Sequence, residues 1–308
     1  MPSVESAESD SIFDTRHSTL DTPLMPHTLG IIAGEGIFPF LVARGAKRAG
    51  MRVVAVALRG SAWPDLRDEV DAYHPVGITR LGSWVRTLRK YGCDEAIMVG
   101  RVRKARLYEK WTLVQYIPDL RTLSLFLKQI RRDKRDQTLL QSVANALEAE
   151  GFPLSDSTKY CPEHLATAGV MTRRQPTESQ WADIRFGYEL ARTISKLEIG
   201  QAIAIADQNV LAVEAIEGTD RMIERAGQLC PRGGWTLIKV ANTHADMRID
   251  VPSVGLTTIE KLKAAGAACL VLTPRTTIIL EKPKVLELAD RLKIAVVGYA
   301  GELSDAAI

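Results

Sequence analysis

Three stretches of this sequence hold residue types at spacings that could do chemistry. The densest is Asp246-Met-Arg248-Ile-Asp250, two carboxylates and a guanidinium at alternate positions. In extended backbone alternate side chains share a face, so all three are expected to point into one space. Carboxylate oxygens suit Mg²⁺, with Mn²⁺ as a substitute, and an arginine can hold phosphate in a bidentate fork. The spacing matches metal-assisted phosphate chemistry, with Asp246 and Asp250 as metal ligands, and it matches a surface ladder of ion pairs equally well. A second cluster, Glu214, Glu217, Thr219 and Asp220, falls where an apolar run ends and a helix is expected to start. Asp220 there could be only an acid stabilised by the helix dipole. The third stretch is Gly30-x-x-x-Gly34-Glu-Gly36-Ile-Phe-Pro39, between an expected strand and an expected helix. Its glycines let backbone approach an anion and its amides would favour one. The alternative is a tight turn with a proline opening the helix. Pro39 stands where a dinucleotide fingerprint has its third glycine, and Leu58-Arg-Gly60 supplies no acid after the next strand, which argues against a redox cofactor.

Further basic residues, Arg101, Arg103, Lys104 and Arg106, follow the third expected strand, where such sheets bind ligands or simply expose a solvated loop. The run Arg131-Arg-Asp-Lys-Arg135 reads as surface, or as a weak contact with anionic lipid headgroups. His74, His164 and His244 have no metal-ligand spacing, and neither a GxSxG elbow nor a P-loop is present. Cys93, Cys161, Cys230 and Cys269 are widely separated, which excludes a zinc knuckle and a disulfide framework and fits a reducing, cytoplasmic location. The net charge is +3, but five acids against Arg16 in the first 28 residues leave about +7 on the remainder. That balance suits an anionic small molecule and is too weak to indicate nucleic acid.

The elements that must position these residues alternate. Leu29–Ala33, Arg52–Leu58 and Ala96–Val99 read as strands buried on both faces. Between them lie helical faces formed by Phe38, Leu41, Val42 and Ala46 and by Leu81, Trp84, Val85 and Leu88. This predicts a Rossmann-like parallel-sheet domain over residues 28–155, continued by helices near 120–130 and 139–147. Thr177-x-x-Gln180 is a capping box opening a helix to about Leu197. Runs at 202–206 and 210–216 suggest a hairpin, and strands near 236–240, 269–272, 278–280 and 294–297 with helices at 258–265 and 283–292 complete a second α/β domain over 156–308. Residues 1–27, rich in Ser, Glu and Asp, read as a mobile tail.

Several of these pieces, taken in order, resemble the UDP-2,3-diacylglucosamine pyrophosphatases of the LpxI type, from Leu29 to about Gly298. They are Ala33-Gly-Glu-Gly-Ile-Phe-Pro39, Gly200-Gln201, Val213-Glu-Ala-Ile-Glu-Gly-Thr-Asp-Arg-Met222 and Asp246-Met-Arg-Ile-Asp-Val-Pro252 with Gly255. The resemblance implies Mg²⁺-dependent hydrolysis of the UDP-sugar to UMP and 2,3-diacylglucosamine 1-phosphate in lipid A biosynthesis, with the acylated sugar held between two domains. It places the essential acids at Asp246 and Asp250 beside Arg248. With the glycine loop and basic residues above, it makes Gly34, Gly36, Pro39, Arg101, Gln201, Glu217, Thr219, Asp220 and Lys239 the expected substrate contacts. A lipid substrate implies transient contact with the cytoplasmic face of the inner membrane, and a homo-oligomer is left open. Two departures stand out: Asn242-Thr-His-Ala245 replaces a Lys-Pro-x-Gln stretch, and Glu198 stands where Asp commonly precedes the Gly-Gln pair. The competing readings are hydrolysis of another nucleotide-sugar or phosphoanhydride, and a non-catalytic phospholipid or nucleotide-sugar binding protein.

Overall fold

A computed structural model describes residues 27–102, 119, 122–123, 136–241, 246–249 and 251–301. The first half is built on four parallel strands, β1 (Thr28–Ala33), β2 (Arg52–Leu58), β3 (Ala72–Val76) and β4 (Glu95–Val99), in the spatial order β3-β2-β1-β4. Successive side chains of β1 go to opposite faces. Leu29 and Ile31 meet helix α1 (Phe38–Arg48), while Ile32 meets α2 (Leu81–Lys90) and α3 (Asp136–Ala149). Helix α1 forms there because Pro39 pre-sets its first turn and Lys47 and Arg48 complement its C-terminal dipole. The chain order reverses between β1 and β4, which puts the crevice of this sheet at their carboxyl ends.

The second half has a six-stranded mixed sheet in the order β5-β12-β10-β8-β6-β7. Its strands are β5 (Gly169–Val170), β6 (Ala202–Ala206), β7 (Asn209–Val213), β8 (Thr236–Lys239), β10 (Cys269–Leu272) and β12 (Ala295–Gly298). Helix α4 (Glu178–Lys196), opened by the Thr177–Gln180 capping box, covers one face through Ile184, Tyr188 and Ala191. Helices α5 (Thr219–Leu229), α6 (Leu256–Ala264) and α7 (Lys282–Arg291) cover the other. The hairpin β6–β7 is antiparallel, and β6 runs antiparallel to β8. The start of β6, the end of β7 and the end of β8 therefore lie along one edge of the sheet. Among the described residues no helix is long and apolar enough to cross a membrane.

The halves share a continuous apolar seam. Two short strands, β9 (Ser253–Val254) and β11 (Ile278–Ile279), pair in parallel, and Leu165 bridges Ile278. Ile278 and Cys161, with Val251 and Leu280 against them, belong to the same buried cluster as Leu29, Phe40 and Val42 of the first half. The joining segment 152–165 lies along β4: Leu154 bridges Ala96, and Glu95 accepts hydrogen bonds from Ser155 and Tyr160 and from Lys159 Nζ at 2.7 Å. Burial works to raise the Glu95 pKa, but the bonds from Lys159, Ser155 and Tyr160 overcome it and hold the carboxyl below its ordinary value. A depressed folded pKa means stability that is present above the unfolded value of about 4.3 and is lost as pH falls through the folded one. Glu95→Gln should therefore lose stability at pH 7 while flattening the acid limb of a pH series of urea midpoints. An acid limb as steep as that of the parent would remove Glu95 from the account.

Candidate active site

The expected third-strand crevice is stitched shut by backbone. The Gly34 amide donates to the Val99 carbonyl at 2.8 Å, and Glu35 and Arg101 exchange amide bonds at 2.8 and 2.9 Å. Gly34 and Gly100 lie so close that a Cβ on Gly34 would stand 2.7 Å from the Gly100 carbonyl carbon. Gly30 lies inside β1, where any Cβ would overlap the Leu88 side chain of α2. Gly36, with φ +108°, has open space in front of it, and Pro39 sits in the first turn of α1. The loop is thus closed by main chain at Gly34 and open only at Gly36, with the exposed Arg101 bridged to Glu35 beside it.

In the second half the structure brings Gln201, Glu214, Thr219 and Lys239 together at one sheet edge. Thr219 Oγ1 donates to Glu214 Oε1 at 2.8 Å and accepts from Lys239 Nζ at 3.1 Å, while the Gln201 amide donates to Glu214 Oε2 at 3.4 Å. Glu214 and Lys239 are each only 7% exposed. The other two acids of that motif turn away to the helix surface. Glu217 takes bonds from the Ala215 amide and from Arg225 at 2.5 Å, and its own backbone amide and Arg225 hold its carboxyl below the usual range. Asp220 pairs with Lys261 at 3.1 Å, and its hydrogen bond raises the Lys261 pKa.

The described part of the Asp246–Asp250 stretch, Asp246–Ile249, is not extended. Residues 247–249 form a turn, closed by the Ile249 amide on the Asp246 carbonyl at 2.9 Å. The reason is local: Asp246 Oδ1 accepts from the Arg248 amide at 3.0 Å, an Asx-type bond that competes with extended backbone. The guanidinium folds back onto the same carboxylate, Nε at 2.9 and 3.0 Å and Nη2 at 2.6 Å, and Nη1 stands 3.9 Å from Glu148 Oε2. The expectation of three side chains on one extended face is therefore corrected to a tight Asp246–Arg248 pair on a turn. Arg248 holds the Asp246 carboxyl below its ordinary pKa, which favours its anionic, accepting form. The turn is clamped to the first half by Ser157, whose amide donates to Met247 O at 3.0 Å and whose hydroxyl lies 3.1 Å from both Met98 O and Arg248 O.

Residues 28–164 match the LpxI N-terminal domain, and residues 167–297 match the LpxI C-terminal domain. The chain belongs to the LpxI family. A relative named UDP-2,3-diacylglucosamine pyrophosphatase LpxI, from Caulobacter vibrioides, is 31% identical over 278 residues, covering 88% of this chain and 96% of that protein. Among solved structures, a phosphoribosylglycinamide synthetase from Anaerococcus prevotii is 14% identical with a TM-score of 0.25, covering 65% of this chain and 35% of that one. A biotin carboxylase in complex with β-γ-ATP, from Campylobacter jejuni, is 12% identical, also at TM-score 0.25, covering 67% and 42%. This LpxI chain spans less than half the length of those two, and such scores carry no functional meaning.

The family resemblance of this LpxI chain implies Mg²⁺. Among the described residues no group of three or more His, Cys, Asp or Glu side chains could hold a metal ion. Asp246 accepts three N–H groups of Arg248, the backbone amide, Nη2, and Nε shared between its two oxygens, so both oxygens are engaged. The described residues alone do not fit a resident metal. Asp250, the replaced stretch Asn242–Ala245, Arg103, Lys104, Arg106, the expected helix at 120–130 except for Thr122 and Leu123, the run Arg131–Arg135 and the tail through residue 26 lie outside the described residues. Sequence reasoning did not find Ser157 or Glu148. Their partners are 91 and 100 positions away, and no local pattern announces such a contact.

Proposed function

We propose that this chain hydrolyses the diphosphate of UDP-2,3-diacylglucosamine, a step of lipid A biosynthesis, with water attacking the α-phosphorus to give UMP and 2,3-diacylglucosamine 1-phosphate. The observation that carries the proposal is the Lys239–Thr219–Glu214 hydrogen-bond chain, with its lysine and glutamate buried, in an LpxI-family chain. The Lys239 ammonium donates to the Thr219 hydroxyl, which donates to Glu214, and Asp246 lies seven residues past Lys239. Seven residues span at most about 25 Å. Lys239 and Arg248 supply positive charge for a diphosphate, and Asp246 supplies a fixed anion that can orient water or hold the guanidinium. The relative from Caulobacter vibrioides carries this activity in its name. Two acyl chains on the substrate put its source at the cytoplasmic face of the inner membrane, and transient contact there is part of the same proposal.

A divalent ion, Mg²⁺ or Mn²⁺, would neutralise charge on the diphosphate. Asp250, which the family motif pairs with Asp246, and the substrate's own phosphate oxygens are the groups open to such an ion. Excess EDTA should abolish turnover, and Mg²⁺ or Mn²⁺ should restore it. Full turnover in EDTA would remove the ion from the reaction. The decisive experiment incubates the purified chain with UDP-2,3-diacylglucosamine and Mg²⁺ in ¹⁸O-water and analyses the products by mass spectrometry. UMP carrying one ¹⁸O is expected. Label in the sugar phosphate would place attack at the other phosphorus, and unchanged substrate would leave a binding protein.

A further inference from the structure

Glu214 directly follows strand β7 and is a carboxylate almost wholly out of water, at 7% exposure. A buried carboxylate is costly unless its oxygens are hydrogen-bonded, and here each oxygen has a directed donor. Oε1 takes the Thr219 hydroxyl proton at 2.8 Å, and Oε2 faces the Gln201 amide at 3.4 Å. A threonine hydroxyl has one proton to give. Committing it to Glu214 leaves the lone pairs of Thr219 to receive Lys239 Nζ at 3.1 Å. The result is a one-way chain, ammonium to hydroxyl to carboxylate, whose members come from β8, the first turn of α5 and the residue just after β7. The approach of residues 200–201 to Glu214 depends on Gly200, because a Cβ there would overlap the Glu214 carbonyl.

We propose that Glu214 is a positioning residue for the reaction: acting through Thr219, it fixes where the Lys239 ammonium stands against the substrate's phosphate. The inference rests on the reading of Lys239 and Thr219 as phosphate-site residues. The Glu214 carboxylate offers the Thr219 hydroxyl only acceptors, so its negative charge fixes the direction of that proton. An isosteric amide at 214 loses that charge and no longer fixes which way the hydroxyl points. Fixed donors matter most where charge develops in the transition state, so kcat should suffer more than KM.

The test is steady-state kinetics on full-length Glu214→Gln, Thr219→Val, the double variant, Thr219→Ser and Lys239→Ala with UDP-2,3-diacylglucosamine, with melting followed in parallel. Glu214→Gln and Thr219→Val should each lower kcat roughly 10- to 100-fold, the range for a hydrogen bond to a charged group, with KM changed much less. The double variant should be no worse than the poorer single, since both break one chain, and Thr219→Ser should recover most of what Thr219→Val loses. If Lys239→Ala keeps parental turnover, the placement of the phosphate site is wrong and this inference falls with it. If Lys239→Ala is inactive while Glu214→Gln turns over like the parent, the site stands and the role of Glu214 is overturned. Independent, multiplicative losses in the double variant would overturn it too. Should Glu214→Gln melt before it can be assayed, the Thr219→Val and Thr219→Ser pair decides: equal turnover in the two rejects the chain.

Discussion

Asp246→Asn is expected to lower kcat by roughly 10²-fold or more in a protein that still folds. The amide keeps the shape of the side chain but offers the guanidinium one acceptor oxygen in place of two, so the fork from Arg248 Nε and Nη2 is broken. It also removes the negative charge that Arg248 stabilises. Arg248→Lys should fall in the same direction, because an ammonium cannot make two parallel bonds to one carboxylate. If the pair were an ordinary exposed ion pair, both variants would shift stability by about 1 kcal/mol or less and leave kcat alone. The side chains are 31% and 22% exposed and the turn is clamped by Ser157, which argues against that outcome. Steady-state kinetics on both variants decide it: near-parental kcat in each would place the active site elsewhere.

The largest effect on stability should come from Trp235→Ala. Trp235 is fully buried, packs in the cluster formed by α5, α6 and α7 on the six-stranded sheet, and donates its indole N–H to Ala265 O at 2.9 Å. Truncation leaves a ring-sized cavity and a carbonyl without its donor, at a cost of about 3–5 kcal/mol. Trp235→Phe keeps most of the buried area and should cost less. Urea unfolding followed by circular dichroism reads both. A loss under about 1 kcal/mol for the alanine variant would mean that this cluster is not what holds the second half together. Trp235 immediately precedes β8, which ends at Lys239, so partial loosening should reach turnover before it reaches global unfolding.

Continuous apolar runs made β1, β2 and β4 legible, because strands buried on both faces must be apolar throughout. Strand β3 was not, since Ala72-Tyr-His-Pro-Val76 is half-exposed and carries a proline that only an edge strand tolerates. The Thr177–Gln180 capping box and the hairpin at 202–213 were readable for local reasons, one from a cap and the other from a short polar turn. At the site, residue types were legible and geometry was not. Alternation along Asp246–Asp250 implied an extended face, but an aspartate side chain that captures the amide two residues on makes a turn instead. In the same way, Glu217 and Asp220 share a motif with Thr219, yet Arg225 and Lys261, which no spacing rule links to them, draw both acids to the helix surface. Glu214 was visible only as one acid among several. Its burial and its bond to Thr219 depend on how β7 returns to the start of β6.

The contact between Gly34 and Gly100 reaches into the genetics of this loop. Each blocks a side chain on the other with main-chain atoms, at 2.7 Å in both directions. An enlarged residue at one position therefore has no suppressor at the other, because its neighbour is already as small as an amino acid can be. The turns after β1 and β4 consequently behave as a single inherited unit. A chimera taking one of them from a relative with a different backbone path should fail, and one taking both should be tolerated.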